Sequence, residues 1–230
     1  MNTAIITGAS SGIGLSICKV VLRLVYKVYG IARDFSKTDL SDDNFIPVTC
    51  DLMNTQIICE KIKNIRKENN ITLLINNAGV GYFGLHEELN PQKIHEIIAT
   101  NIEAPLILTQ LRLRDLKKNK GSIINISSIT AKESSPHGCA YGASKAALTH
   151  FSNSLFDETR KYGVKVTAIH PDMTQSNFYR NANFKEGDSL DTFITPDEVA
   201  SAVELILNQR NGLVMRDITL SPQKHIIKRI

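Results

Sequence analysis

In the segment AYGASKAAL, residues 140–148, Tyr141 and Lys145 stand four positions apart among small residues. On a helix that spacing puts both side chains on one face, one turn apart. A free tyrosine has a pKa of about 10, and about 4 kcal/mol of preference for the phenolate brings it near 7. One ammonium at about 4 Å, in an effective dielectric of about 20, supplies a contribution of that size. The pair is therefore suited to give a proton in a reduction or take one in an oxidation. The competing reading is a core aromatic with its hydroxyl at the rim. Ala140, Gly142, Ala143 and Ser144 weigh against it, because small residues let the helix lie close to a ligand and a neighbouring element. Ser128, in the run INISSIT, lies thirteen residues before Tyr141.

Two other stretches carry chemistry. TGASSGIG, residues 7–14, follows a strand-like run and opens a helical one. Gly8, Gly12 and Gly14 leave its backbone bare, so its N–H groups and the positive end of the helix can approach a pyrophosphate. A glycine-rich turn that only permits tight packing is the bland alternative. INNAGVG, residues 75–81, follows another strand-like run. There Asn77 either pins the end of a neighbouring strand, edges a ligand, or makes an Asx-type turn with no ligand.

The elements that must position these residues alternate from end to end. Strands are expected at 3–7, 26–32, 45–49, 71–75, 121–126, 163–169 and 213–219, short and rich in Ile and Val as strands buried on both faces should be. Helical periodicity fills 13–25, 55–69, 91–118 with a break near Pro105, 139–161 and 196–209. The last has a start signal: Thr195 as N-cap, Pro196 in the first turn and Glu198 three residues on. This order predicts an α/β chain, a doubly wound parallel sheet of about seven strands with helices on both faces, as one domain over 1–230. In such sheets ligands bind outside the carboxyl ends of the strands. Gly8–Gly14, Asn76–Gly79, Ser127 with Ser128, and Pro171 onward all follow strands on that edge, so they converge on one crevice. Residues 172–194 exceed the usual connecting loop of about 12–15 residues and read as a lid.

Taken in order, these motifs resemble the short-chain dehydrogenase/reductases: T-G-x-x-x-G-I-G at 7–14, N-N-A-G at 76–79, Ser128, and Y-x-x-x-K at 141–145. The likeness runs from residue 3 to about 219. It implies a Rossmann-type fold and hydride transfer between a nicotinamide cofactor and a carbonyl/alcohol pair. Tyr141 would then be the proton donor and acceptor, Ser128 would bond the substrate oxygen, and Lys145 would bind the nicotinamide ribose and depress the tyrosine. Asn101, in ATNIEAP, matches the residue that anchors a water in the proton relay; a helix-kink residue bonding freed backbone fits the same position. Cofactor contacts carry over to Gly8, Ser10, Ser11, Gly12, Ile13, Gly14, Asn77, Ala78, Gly79, Tyr141, Lys145, Pro171 and Ser176, with Asp51 and Leu52 at the adenine. Where NAD-selecting members place an acid after the second strand, this chain has Ala32 and then Arg33, whose guanidinium suits a 2'-phosphate. NADP is expected in preference to NAD, with Asp34 as the residue that would reverse this if the strand ended two positions later. The chain departs from the pattern at HPDMTQS, where Asp172 replaces a glycine and Ser176, rather than Thr174, stands for the usual threonine. The resemblance also implies a homodimer or homotetramer paired through the helices at 91–118 and 139–161. The same fold without turnover, a cofactor-binding regulatory protein, is the rival reading; intact Ser128, Tyr141 and Lys145 weigh against it.

Composition narrows the rest. The chain has 230 residues, a formal charge of +4, and 27 basic residues spread along it, with no basic stripe for nucleic acid. No apolar run reaches the ~18 residues of a membrane helix, and no signal-peptide pattern opens the chain, so a cytoplasmic protein is expected. Cys18, Cys50, Cys59 and Cys139 form no C-x-x-C pair and read as reduced thiols. HEEL and HEII are not H-E-x-x-H, so no metal site is expected. His137 and His170 lie near the crevice, with a structural role favoured for each. The tail KHIIKRI, 224–230, reads as a frayed or subunit-packing end.

Overall fold

The computed structural model describes residues 1–66, 70–180 and 182–229. The strands are Asn2–Thr7 (β1), Tyr26–Ala32 (β2), Phe45–Thr49 (β3), Ile71–Asn76 (β4), Ser122–Ile126 (β5), Lys165–Pro171 (β6), Phe184–Glu186 (β7), Asp217–Leu220 (β8) and Ile227–Arg229 (β9). Seven of them form one sheet in the order β3-β2-β1-β4-β5-β6-β8, every neighbouring pair parallel. The strand order reverses at β1, which places the switch point between β1 and β4.

Side-chain alternation along the strands builds two cores. Ala4, Ile6, Leu73 and Ile75 point to one face, against Ile17 and Val21 of helix α1 (Gly12–Arg23) and residues of the last helix. Ile5 and Leu74 point to the other, against α2 (Thr55–Arg66) and two long helices. All six of these strand side chains are wholly shielded from solvent. Each such aliphatic group contributes about 1.5–3 kcal/mol over its exposed state, so a strand buried on both faces is fixed in register by its whole length.

Between β4 and β5 the expected single helix divides into α3 (Pro91–Ile98), a π-helical turn at Ala99–Glu103 and α4 (Ala104–Asn119). The break lies where it is expected, next to Pro105: the π turn is centred on Asn101, whose carbonyl is the i−4 partner that a proline at 105 can neither bond nor approach. Next come α5 (Cys139–Thr159) and α6 (Pro196–Leu207). The start signal of α6 is a capping box: Glu198 N–H donates to Thr195 Oγ1 at 3.3 Å, and Thr195 N–H donates to Glu198 Oε2 at 2.7 Å. The last sheet strand begins at Asp217, four residues later than the apolar run suggests. The expected extension of α2 to residue 69 lies outside the described residues.

The 172–194 stretch holds two short 3-10 turns and β7, and β7 pairs antiparallel with β9. The C-terminal tail is therefore not frayed over 224–229. It is a strand laid on the 172–194 segment, with ion pairs from Lys224 to Asp191 at 2.7 Å and from Lys228 to Asp188. Among the described residues no helix is long and apolar enough to cross a membrane, and no group of three His, Cys, Asp or Glu could hold a metal.

Candidate functional site

A cleft of about 560 Å³ opens at the carboxyl edge of the sheet, beside the switch point. Its floor is the turn after β1. Gly8 sits at φ +69°, a conformation that favours glycine, and a Cβ there would lie 2.7 Å from Asn77 Nδ2. A Cβ at Gly14 would stand 2.0 Å from the carbonyl oxygen of Gly8. The turn is thus closed tightly on itself, and Ser10 to Gly14 present their backbone to the cleft. Ser11 caps α1 without a side-chain bond to the helix N–H groups. An uncapped twelve-residue helix aimed at a bare glycine turn fits the pyrophosphate of a dinucleotide.

Asn77 does the pinning. Its Nδ2 donates to the Thr7 carbonyl at 2.9 Å, while the Asn77 and Ala78 N–H groups both donate to Thr7 Oγ1 at 3.0 Å. Asn77, Ala78 and Gly79 also line the cleft, so the segment fixes the wall it forms.

Asn101 is fully buried. Its Oδ1 accepts from Val80 N–H at 2.9 Å, and its Nδ2 donates to Val80 O and to Ser144 Oγ, both at 3.0 Å. The side chain is engaged by the loop after β4 and by α5, not by the helix backbone freed at the π turn. It locks the cofactor-side loop onto the helix that carries Tyr141.

Ser128 ends the segment after β5, and Tyr141 and Lys145 face it from α5. The Ser128 hydroxyl is the neighbour that favours the phenolate. Lys145 Nζ donates to the Ile126 carbonyl at 2.8 Å and stands 5.7 Å from the centre of the Tyr141 ring. Tyr141 and Lys145 are 7% and 3% exposed. Burial pushes the Tyr141 phenol up to about 12 and the Lys145 ammonium down to about 8. Burial here runs against the phenolate. Desolvation of both charged forms outweighs an ammonium that is directed to a carbonyl instead of to the phenol.

This arrangement has a measurable consequence. Unfolded, Lys145 binds its proton with a pKa near 10.5; folded, near 8. The unfolded chain therefore holds more protons between those values, and stability rises with pH across that window. Lys145→Met is expected to stabilise the protein by about 3 kcal/mol at neutral pH, since each tenfold change in proton affinity is about 1.4 kcal/mol. The gain should vanish by about pH 10.5, where both states of the lysine are neutral. Urea denaturation of both proteins across that range checks it. A difference independent of pH would refute the buried-charge account.

At the end of β2 the cleft is lined by charged residues. β2 ends at Ala32, and Arg33 lines the cleft with Lys37 one turn-length on. Asp34 is occupied within its own loop: its carboxylate accepts from Ser36 N–H and Ser36 Oγ, each at 2.8 Å. Lys37 was not flagged by any motif; its only sequence signal is a second cation four residues after Arg33. Asp51 accepts from Met53 N–H at 3.0 Å and, with Leu52, borders the cleft. At the opposite end Pro171 and Ser176 are in place, and Ser176 caps a 3-10 turn by accepting from Phe178 N–H at 3.3 Å. Asp172 accepts from Met173 N–H at 2.7 Å and lies 3.4 Å from His225 Nδ1 of the tail. Its carboxylate is held by the tail as well as by its own loop.

Aromatic residues of the 172–194 segment and of the loop after β4 pack around Tyr141. Phe178 and Phe83 stand 5.4 and 5.6 Å from the Tyr141 ring, centre to centre, and Phe83 packs on Tyr179 and Phe184 in turn. The sequence signal for Phe178, Tyr179 and Phe184 is compositional, aromatics gathered in an otherwise polar irregular segment, and Phe83 joins them from the loop after β4.

The short chain dehydrogenase family model matches residues 2–187. The chain belongs to that family. It is 32% identical to the 3-oxoacyl-(acyl-carrier-protein) reductase of Rickettsia typhi, across 93% of this chain and 92% of that one. It is 28% identical to the NADP-dependent 3-hydroxy acid dehydrogenase of Schizosaccharomyces pombe, across 96% and 92%. Among solved structures, a metagenomic short-chain oxidoreductase in complex with NADP superposes with a TM-score of 0.82 at 28% identity, covering 96% of this chain and 97% of that one. As a short-chain dehydrogenase, the protein carries the seven-stranded Rossmann-type sheet expected from its strand pattern, and it belongs to a family of nicotinamide-dependent oxidoreductases.

Proposed function

We propose that this short-chain dehydrogenase is an NADP(H)-dependent enzyme that reduces a carbonyl compound to an alcohol. The observation that carries the reading is the convergence of Ser128, Tyr141 and Lys145 on one wall of a glycine-floored cleft. When bound, the dinucleotide supplies the hydride. The chain's own residues do the rest. At neutral pH the phenol, with its pKa near 12, is fully loaded with the proton that a reduced carbonyl oxygen must receive. Ser128 Oγ bonds that oxygen and orients it beside the phenol. Lys145 stabilises the phenolate left behind, most effectively once its Nζ is shared with a bound ribose instead of resting on Ile126 alone. The rings of Phe83, Phe178 and Tyr179 exclude water from the transfer and favour a carbonyl with apolar substituents.

NADP is supported by Arg33 and Lys37, two cations beside the end of β2, and by the engagement of Asp34 with Ser36. A relative named as NADP-dependent and a structural neighbour solved with NADP agree with it. Residues 172–194 act as the substrate lid of a single catalytic domain spanning 1–230. A cytoplasmic homodimer or homotetramer completes the reading, supported by Ile98 of α3 and Leu106 of α4, apolar side chains 43% and 38% exposed on the helices through which the family pairs.

The test is to incubate the protein with NADPH and a panel of aldehydes, ketones and quinones and follow reduced-cofactor absorbance. Turnover is expected on apolar carbonyls. Tight NADPH binding with no turnover on any of them would instead establish a regulatory cofactor-binding protein.

A further inference from the structure

His170 is wholly buried in β6, next to Pro171 at the cleft. Its two ring nitrogens face two different oxygens. Nδ1 lies 3.2 Å from the carbonyl oxygen of Ser128, and Nε2 lies 2.9 Å from Asp217 Oδ2 of β8. No hydrogen bond of good geometry reaches Nε2. Lys132, which follows the Ser128 turn, pairs with the other oxygen of Asp217 and donates to Thr219 Oγ1 at 2.7 Å. The Ser128 carbonyl also accepts from Ala131 N–H at 3.0 Å, so the ring and the backbone share in closing the turn that carries Ser128.

We propose that His170 is a positioning residue for Ser128, held in turn by Asp217 and Lys132, and that protonation of its ring decides how firmly the Ser128 turn is fixed. The reason is the inventory of donors. A neutral imidazole has one N–H, and here two oxygens compete for it. With the proton on Nδ1, the Ser128 carbonyl is held and a lone pair faces the Asp217 carboxylate. With the proton on Nε2, the carboxylate is satisfied and a lone pair faces the Ser128 carbonyl, which loosens the turn. The imidazolium has a donor for each. The groups that face the ring are Asp217, Lys132 and the Ser128 carbonyl. Burial and Lys132 oppose protonation while Asp217 and the carbonyl favour it; burial leads, so uptake lies below the ordinary histidine value. The hold on Ser128 therefore tightens as pH falls.

The proposal rests on the reading of Ser128 as the hydroxyl that bonds the substrate oxygen, and the experiment separates the two. Ser128→Ala, His170→Leu, His170→Asn and Asp217→Asn are compared for kcat, KM and NADPH affinity on one carbonyl substrate. Asn places an amide N–H close to where Nδ1 stands, so it keeps the donor to Ser128 without the titration. His170→Leu is expected to lower kcat by about tenfold or more, with NADPH affinity unchanged, and His170→Asn to recover it to within about threefold. The ratio of wild-type to His170→Asn kcat should rise as pH is lowered from about 7.5 to about 5.5, and Asp217→Asn should move that rise to lower pH. Equal losses in the Leu and Asn variants, or a ratio flat in pH, would overturn the proposal. Should the Leu variant fail to fold, the pH ratio and its displacement in Asp217→Asn decide alone. If Ser128→Ala leaves kcat intact, it is the role of Ser128 that fails.

Discussion

Replacing Tyr141 with phenylalanine is expected to lower kcat by about 10²–10⁴-fold, the range that a positioned general acid supplies, while NADPH binds with near wild-type affinity. The substitution is clean because the ring is placed by packing and the hydroxyl by chemistry. Phe178 and Phe83 contact the ring at 5.4 and 5.6 Å between centres, and phenylalanine keeps both contacts. What is lost is the proton and the hydroxyl beside Ser128, a change of no more than about 0.5–1.5 kcal/mol to the fold. The residues proposed to hold the cofactor, in the glycine turn and at Asn77 and Arg33, are untouched. Stopped-flow reduction and fluorescence titration with NADPH separate chemistry from binding. A variant that retains wild-type kcat would remove Tyr141 from the reaction. A variant that loses NADPH binding along with kcat would show that the hydroxyl builds the cleft instead of acting in it.

Arg33→Asp should move the NADPH-to-NADH ratio of kcat/KM by about 10²–10³-fold toward NADH, since a charge-assisted bond of about 1.5–3 kcal/mol is replaced by carboxylate repulsion of a 2'-phosphate. Fold stability is expected to be unchanged, because Arg33 is exposed and follows the last paired residue of β2. The new carboxylate would also stand where two ribose hydroxyls can donate to it. In the native chain Asp34 is turned into its own loop, each of its oxygens accepting from Ser36. Lys37 remains in the variant and limits the size of the switch. A ratio that does not move would mean that Arg33 does not meet the phosphate, and Lys37→Ala would then be the variant to measure.

Much of this site is legible along the chain because its parts are local. A glycine run after an Ile-rich strand, two amides after another, and a tyrosine four residues before a lysine each depend on near neighbours, and the strand pattern alone sends all of them to one edge of a parallel sheet. The same holds for the end of β2 at Ala32 and for the capping box at Thr195. Local signals misled where a distant partner intervened. Pro105 marks the helix break correctly, but the kink at Asn101 suggests a side chain bonded to freed helix backbone, whereas Val80 and Ser144 engage it. The tail reads as a loose end because its partner strand, β7, lies about forty residues earlier inside a segment of no clear periodicity.

Fold class, the position of most strands along the chain and the identity of the reactive groups follow from the chain itself, since backbone sterics and the patterning of apolar side chains act over a few residues. Their working state does not. Whether the phenol is driven up or down depends on where the Lys145 ammonium settles and on how little water reaches either group, and both are set by docking α5 against β5 and the aromatic segment against Tyr141. The same docking brings Asp217, eighty-nine residues beyond Ser128 in the chain, to the histidine that faces the Ser128 carbonyl. Distance and dielectric are properties of the assembled molecule, because they are fixed by contacts between elements that share no stretch of sequence.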